Sequence, residues 1–417
     1  MEKIYLLNLE KYDPAQIAAG LKTASAALGV SLEQKSAILL ADCPWAHSKL
    51  APHAHTNTGF VEGVAEALKP ANVTLAANSL PDFPARYGLK LAGYPGLSSK
   101  IKARLLHLDE AAMRSVTLKA GKAAKEAKLP SAWLDAPFKV MLPKLRQSTL
   151  VPFAGAIRQL LTLLPKSEQL SDSHLLPEKM VDLLSAVPVD LIAVDAIQAL
   201  DRGGEVSGQP VELGVVIVGT NPLAVDMVCA VALGLDPAGV DFLQEAHSRG
   251  MEPASLEQIE ILGDLTLADL RARAAKVELV DPNPVNFPLP EQVKVIRSEK
   301  ARQAGVSGVL ADVFYMLKNA GISLKSAPLT SIVIGAVDEI PAGKDEYSTI
   351  IFMDDTSRGA YTGYGRIIRL PGRNSPISQV LNIVPYVMKV FNPQAELGSD
   401  LMVAKFISNI GRIFPQK

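Results

Sequence analysis

Residues 189–241 constrain the fold of this chain more than any other stretch: VDLIAVDAIQALDRGGEVSGQPVELGVVIVGTNPLAVDMVCAVALGLDPAGVD. The apolar runs 191–194 and 213–218 are too short for helices and are bounded by turn residues, so they read as buried strands. Asp195 stands at the end of the first. Arg202-Gly203-Gly204 and Gly208 form the turn between them. The second strand runs into Gly219-Thr220-Asn221-Pro222. Asn is a strong helix N-cap and Pro suits the first helical position, which predicts a helix over 222–233. Asp226 falls inside that helix among apolar neighbours, so its carboxylate is expected to be buried and to need a partner, with Lys144, Arg146 and Arg202 as the candidates.

The same alternation of types runs along most of the chain. Strands are expected at 36–40, 73–77, 138–142 and 259–262, and helices at 60–69, 177–186, 238–248 and 265–275. The stretch 101–128 is rich in Ala, Lys, Leu and Arg and reads as a long helix stopped by Pro130. A helix is expected over 153–164. Strand and helix in turn argue for an α/β fold, a mostly parallel sheet with helices on both faces. Four prolines in the ten residues 281–290 mark a linker. It would divide a main domain, 1–280, from a smaller C-terminal α/β unit, 291–417. That unit would hold strands at 331–337 and 349–353 and apolar helices near 377–391 and 400–413.

Composition narrows the class of function. Hydrophobic residues make up 48% of the 417, enough for a sizeable core. Lys+Arg number 42 and Asp+Glu 43, which gives no support to nucleic-acid binding. The first residues lack the long apolar region of a signal peptide. The apolar stretch 214–235 is interrupted by Asn221-Pro222 and Asp226, as a strand and turn would be and a membrane helix would not. The expectation is a cytoplasmic protein with no membrane partner. Cys43 and Cys229 read as free thiols and are too few for a cysteine-ligated iron–sulfur cluster. No P-loop, dinucleotide fingerprint or nucleophile elbow occurs.

In open α/β sheets ligands bind beyond the carboxyl ends of the strands. Asp42, Asp195 and Asp354 are expected there, and Asp195 is the best placed. Its carboxylate would face a ligand, a cation or a lysine, or would simply accept local backbone amides. Gly204 and Gly208 would let the backbone approach a ligand. The Asn221 turn offers helix N-terminal amides to an anion, or only capping. Lys144, Arg146, Gln147, Ser148 and Thr149 cluster donors in a loop after a strand, where they suit an anionic group or only water. His174 lies in a polar loop as a candidate ligand contact. His47, His53 and His55, near Asp42, could serve as metal ligands, although their spacing matches no known metal motif.

The segment 143–263 resembles the DUF362 family of uncharacterised proteins. The resemblance rests on Pro143-Lys144-Leu145, His174, Val194-Asp195-Ala196-Ile197, Gly203-Gly204, Gly208, Asn221 through Asp226, and Gly234-Leu235-Asp236-Pro237. Members commonly carry a cysteine-rich ferredoxin-like segment, which implies electron transfer; this chain has none. Arg146-Gln147 stands where many members have Lys and His, and Leu370-Pro371-Gly372 where a Cys-Pro-Pro turn is similar.

These readings converge on a small anionic ligand at the sheet's carboxyl edge. Lys144 and Gln147 would contact it, and Lys144 with Asp195 would form the acid–base pair of any catalysis. Asp195 and Asp226 would orient Lys144 or hold a cation, and the Asn221 turn would add backbone donors. The alternatives are a non-catalytic partner or scaffold for a redox or cofactor-maturation system, burying its C-terminal helices against a second copy or another protein, and a metalloenzyme using the histidines. The resident cofactor is left unknown.

Overall fold

A computed structural model describes residues 1–68, 72–80, 83–301, 305–370, 377–390, 393–413 and 415–416. The resembling Pro371-Gly372 turn lies outside them. Chain order begins β1 (Glu2–Asn8), α1 (Pro14–Ala27), β2 (Ser36–Ala41), α2 (Thr58–Leu68), β3 (Asn72–Ala77), α3 (Ala85–Leu91), α4 (Tyr94–Lys100) and β4 (Arg104–His107). A side pair follows, β5 (Met113–Thr117) with β6 (Glu126–Pro130), then α5 (Ser131–Asp135), β7 (Lys139–Leu142), β8 (Lys144–Gln147), β9 (Phe153–Ala154), α6 (Ala156–Gln159), α7 (Lys166–Gln169) and α8 (Leu176–Leu184). The diagnostic stretch supplies β10 (Leu191–Asp201), β11 (Gln209–Gly219) and α9 (Pro222–Ala232). After it come α10 (Asp241–Ser248), β12 (Ile259–Gly263) and α11 (Leu267–Ala274).

Among the described residues the main sheet has the order β12-β1-β11-β10-β7-β2-β3-β4, with β8 beside β10 and β9 beside β8. The strands run parallel except β11, which is antiparallel to both β1 and β10, and β9, which is antiparallel to β8. Alternate residues of the central strands feed two cores. Ile38, Leu40, Met141, Ile192 and Val194 face one. Leu39, Val140, Leu142, Leu191 and Ala193 face the other, where α1 and α2 supply Ile17, Leu21, Phe60 and Val64. A sheet covered on both faces needs apolar side chains on both sides of each strand, which is why these strands read as continuous apolar runs. From β2 the chain steps to β3 and β4, then returns to β7 on the other side of β2. The carboxyl ends of β2 and β7 are therefore the switch point of the sheet.

Several expectations are corrected. The proposed helix over 101–128 is β4 followed by the β5–β6 pair. Ala127 and Leu129 bury in alternation, so sheet packing overrides the helix propensity of the segment. The 153–164 segment opens as a strand, and only Ala156–Gln159 is α-helical. The loop after Pro143 is β8, a strand whose four residues are all buried. β10 does not stop at Asp195 but continues to Asp201, with a register irregularity against β11 between Ala196 and Gln198.

The C-terminal residues form a second sheet. It contains β13 (Val293–Arg297), β14 (Thr330–Ile334), β16 (Thr349–Phe352) and β18 (Arg366–Arg369), all parallel in the order β13-β14-β16-β18. A separate parallel pair joins β15 (Ala336–Glu339) to β17 (Arg358–Ala360). The helices are α12 (Val306–Asn319), α13 (Ile377–Val387) and α14 (Pro393–Ile413). Helix α12 is buried along most of its length and joins the larger core through Val309, Leu310, Val313 and Phe314. It also holds the β10–β11 turn. Asp312 accepts from the amides of Val206 (3.1 Å) and Ser207 (3.2 Å) and from the Ser207 hydroxyl (2.5 Å). The Asn319 side chain donates through Nδ2 to the carbonyls of Arg202 and Ser207. A Cβ at Gly204 would lie 2.6 Å from Asp312 Oδ1 and 2.7 Å from Thr149 Oγ1. One at Gly208 would lie 2.8 Å from Leu200 Cβ. These two glycines thus permit close packing on protein groups.

Asp312→Ala would orphan two buried amides and a hydroxyl. A loss of about 3 kcal/mol in unfolding free energy, measured by urea titration, is expected; a change within 0.5 kcal/mol (about the usual surface effect) would show that the joint carries no load.

Candidate functional site

Pro143 breaks the strand that would otherwise run from β7 into β8, and its carbonyl accepts from the Asp195 amide at 2.8 Å. In the resumed ladder Lys144 and Asp195 are direct register partners. Lys144 Nζ donates to Asp195 Oδ2 at 3.0 Å and to the Tyr12 hydroxyl at 2.8 Å. The Tyr12 hydroxyl donates to Asp195 Oδ1 at 2.8 Å, and the Asn57 amide, just ahead of α2, donates to Oδ2 at 3.1 Å. Lys144 and Asp195 are buried, while Tyr12 is half-buried. Burial lowers the Lys144 pKa against the opposing pull of Asp195. Burial, then the Asp195 charge and hydrogen bond, raises that of Tyr12.

Tyr12 lines a cleft of about 620 Å³ that opens where the chain leaves the carboxyl end of β1. Gln198 and Gly214 form part of its wall. Its charged lining is Lys11, Arg273 and Lys276 against Glu10 and Glu212, three basic groups to two acidic. Tyr12 and Asn57 were not among the expected site residues. A signal for Tyr12 was present in Tyr12-Asp13-Pro14: Asp13 caps α1 through the amides of Ala15 and Gln16, with Pro14 at the first helical position.

A second buried network lies at the β2/β7 switch point. Arg146 donates to Asp42 and, at 3.4 Å, to Glu205, which also pairs with Arg158 at 3.1 Å. Burial works against its charge, but Asp42 and Glu205 hold the Arg146 pKa above its usual value. Two cations face two anions here, so the network balances its own charge. The adjoining cavity, lined by Asn78, Ser79 and Gln159 as well as the two arginines, is about 20 Å³, room for a water molecule.

The remaining expected site residues are placed elsewhere. Asp226 has no cationic partner of the kind expected; its oxygens accept from the amides of Ala156 (2.7 Å) and Ile157 (2.9 Å) at the start of α6. Asn221 caps α9 by accepting from Leu223 and Ala224, so its side chain occupies the amides expected to hold an anion. Gln147 exchanges two hydrogen bonds with the backbone of Val280. Asp354 accepts from Thr356 and Ser357 in its own turn. His174 borders a separate cavity. His47 Nδ1 accepts from the amides of Lys49 and Leu50. The His55 pKa is lowered to about 4, and that of His53 is also lowered, by burial first and then by the Lys144 charge. Among the described residues no group of three His, Cys, Asp or Glu side chains is placed to hold a metal ion, so the three histidines are not gathered as ligands. No helix among them is long and apolar enough to cross a membrane.

Residues 39–231 match the family model described as "Domain of unknown function (DUF362)". The thylakoid-associated protein sll1697 of Synechocystis sp. is 26% identical over 131 residues, 30% of this chain and 41% of that protein. The chain therefore spans less than half the length of this relative. Among solved structures, the lactate racemase apoprotein of Thermoanaerobacterium thermosaccharolyticum aligns with a TM-score of 0.36 at 12% identity, over 55% of this chain and 57% of that one. A protein of Thermotoga maritima aligns at 0.30 and 9% identity, over 53% and 59%. Likenesses this small support no statement about activity.

Burial raises the Asp226 pKa to about 7, against its two amide hydrogen bonds, which favour the anion. The folded state thus holds this proton more tightly than the unfolded chain. The resulting stability is complete below the unfolded value near 3.8 and is lost as pH rises through 7. Relative to Asp226→Asn, the wild-type chain should lose stability between pH 4 and 7 and then level off. Parallel denaturant titrations across that range test this, and a constant difference would refute it.

Proposed function

From a chain that carries a DUF362 domain, we propose a protein that binds a small anionic molecule at the carboxyl edge of the main sheet, with Tyr12, Lys144 and Asp195 as its proton-handling group. The observation that carries the reading is the closed triangle of hydrogen bonds among these three side chains, with only Tyr12 reaching the cleft. In this reading Tyr12 is the member a ligand meets. Lys144, its proton loosened by burial, exchanges protons through the Tyr12 oxygen, and Asp195 holds both in place. The basic excess of the cleft favours an anion. Gln147, Asn221 and Asp226, engaged with backbone groups, play no direct part.

The test is a thermal-shift series at low salt with inorganic phosphate, acetate, citrate and glycerol phosphate. At least one should stabilise the wild-type protein, and Tyr12→Phe and Lys276→Glu should each weaken that effect about tenfold in apparent affinity, about 1.4 kcal/mol. Stabilisation by none of them, or equal stabilisation of all three proteins, would reject the reading.

A second reading, a partner or scaffold protein, is favoured by α14. Met402, Val403, Phe406, Ile407, Ile410 and Ile413 are all exposed, from 42% to 75%. Ser408 and Gly411 turn the other way and pack on Asp109 and Glu110. The outward face of the helix is therefore the apolar one, an arrangement typical of an interaction surface. With the proposed division at 281–290, the cleft belongs to the main unit and this face to the C-terminal one. Size exclusion with light scattering should show a dimer or larger species that Phe406→Ser with Ile410→Ser converts to monomer. A wild-type monomer would count against self-association.

A further inference from the structure

The carboxyl-edge reading leaves His174, Thr149 and the 148–152 loop unused, and these border a cavity of about 520 Å³. Its wall is largely apolar, with Leu150, Val151, Leu235, Leu279 and Val280 among its residues. That volume lies within the range of small-molecule sites, roughly 300–1,000 Å³. No lysine or arginine is among the residues lining it. Its charged side chain is Asp241, at the exposed rim where α10 begins. Asp241 Oδ1 accepts from the Phe242 amide, which leaves Oδ2 as the acceptor for a ligand. A second carboxylate stands close by: Glu178, on α8, has a buried Oε2 with no hydrogen-bond partner.

We propose that this cavity binds a small amphiphilic amine, its apolar body against Leu150, Leu235 and Leu279 and its ammonium group at Asp241. The electrostatics agree. Partial desolvation at the rim, and the Glu178 charge as well, raises the Asp241 pKa. A bound ammonium would satisfy Asp241 and offset the field of Glu178, whereas a carboxylate or phosphate would meet two like charges and no lysine or arginine, with His174 the one imidazole in the wall. The ligand is thus opposite in sign to that proposed for the Tyr12 cleft, and the two sites stand or fall separately.

Octylamine, octanoate and 1-octanol share one chain length and differ in head group. Isothermal titration at pH 7.5 should give octylamine an affinity at least about tenfold above octanoate and above octanol. Leu279 is 39% exposed at the rim, so Leu279→Lys places a cation there without opening the core. That variant should lose octylamine binding at least about tenfold with its melting temperature unchanged, and Asp241→Asn should narrow the gap between octylamine and octanol. Absence of octylamine binding, equal binding of octanoate, or full octylamine binding by Leu279→Lys would overturn the proposal. The last result would assign the binding to other apolar surface, such as the face of α14.

Discussion

The buried pairing of Lys144 with Asp195 is the contact around which the centre of the molecule is arranged. Removing one partner of such a pair strands a charge away from water at a cost of about 3–5 kcal/mol. Both must therefore be present and correctly opposed before the strands that carry them can pack. The ladder accomplishes this by making them direct register partners, and the Pro143 break turns β8 so that Lys144 arrives beside β10. Tyr12 and the Asn57 amide complete the coordination of Asp195. Through these contacts the ends of β1 and the start of α2 are tied to the sheet centre.

A second buried charge group, Asp42–Arg146–Glu205–Arg158, closes the switch point between β2 and β7. Sheets of this kind usually admit ligands at such a crevice. Here two arginines and two carboxylates fill it and leave space for about one water. Larger openings lie elsewhere, among them the cleft at Tyr12 and the apolar cavity bordered by the 148–152 loop. The first of these openings is slightly basic and the second acidic-rimmed.

Much of this was legible in the sequence where a single local signal dominated. The Asn221-Pro222 cap fixes the start of α9, and the apolar runs at 191–194 and 213–218 mark strands buried on both faces. The approach of Lys144 to Asp195 was anticipated because both sit near strand ends expected at one sheet edge. Legibility failed where packing overrode propensity. Residues 101–128 carry good helix formers yet build β4 and the β5–β6 pair, because the sheet and the alternating burial of Ala127 and Leu129 offer more than isolated helix formation. It failed also for Asp226, whose partners are two amides about seventy residues away.

By itself, then, the sequence determined the α/β class, the strand–turn–strand–helix centred on Asp195, and the need for partners for its buried acids, because these follow from periodicity, capping and the cost of burying charge. Only the tertiary structure decided which partners those acids receive. It brought Tyr12 to Asp195 across 183 positions, left Asp226 with amides alone, and sent Gln147 to the Val280 backbone. Desolvation makes a partner obligatory but does not say which donor the fold will bring within 3 Å; that choice belongs to strand order and register.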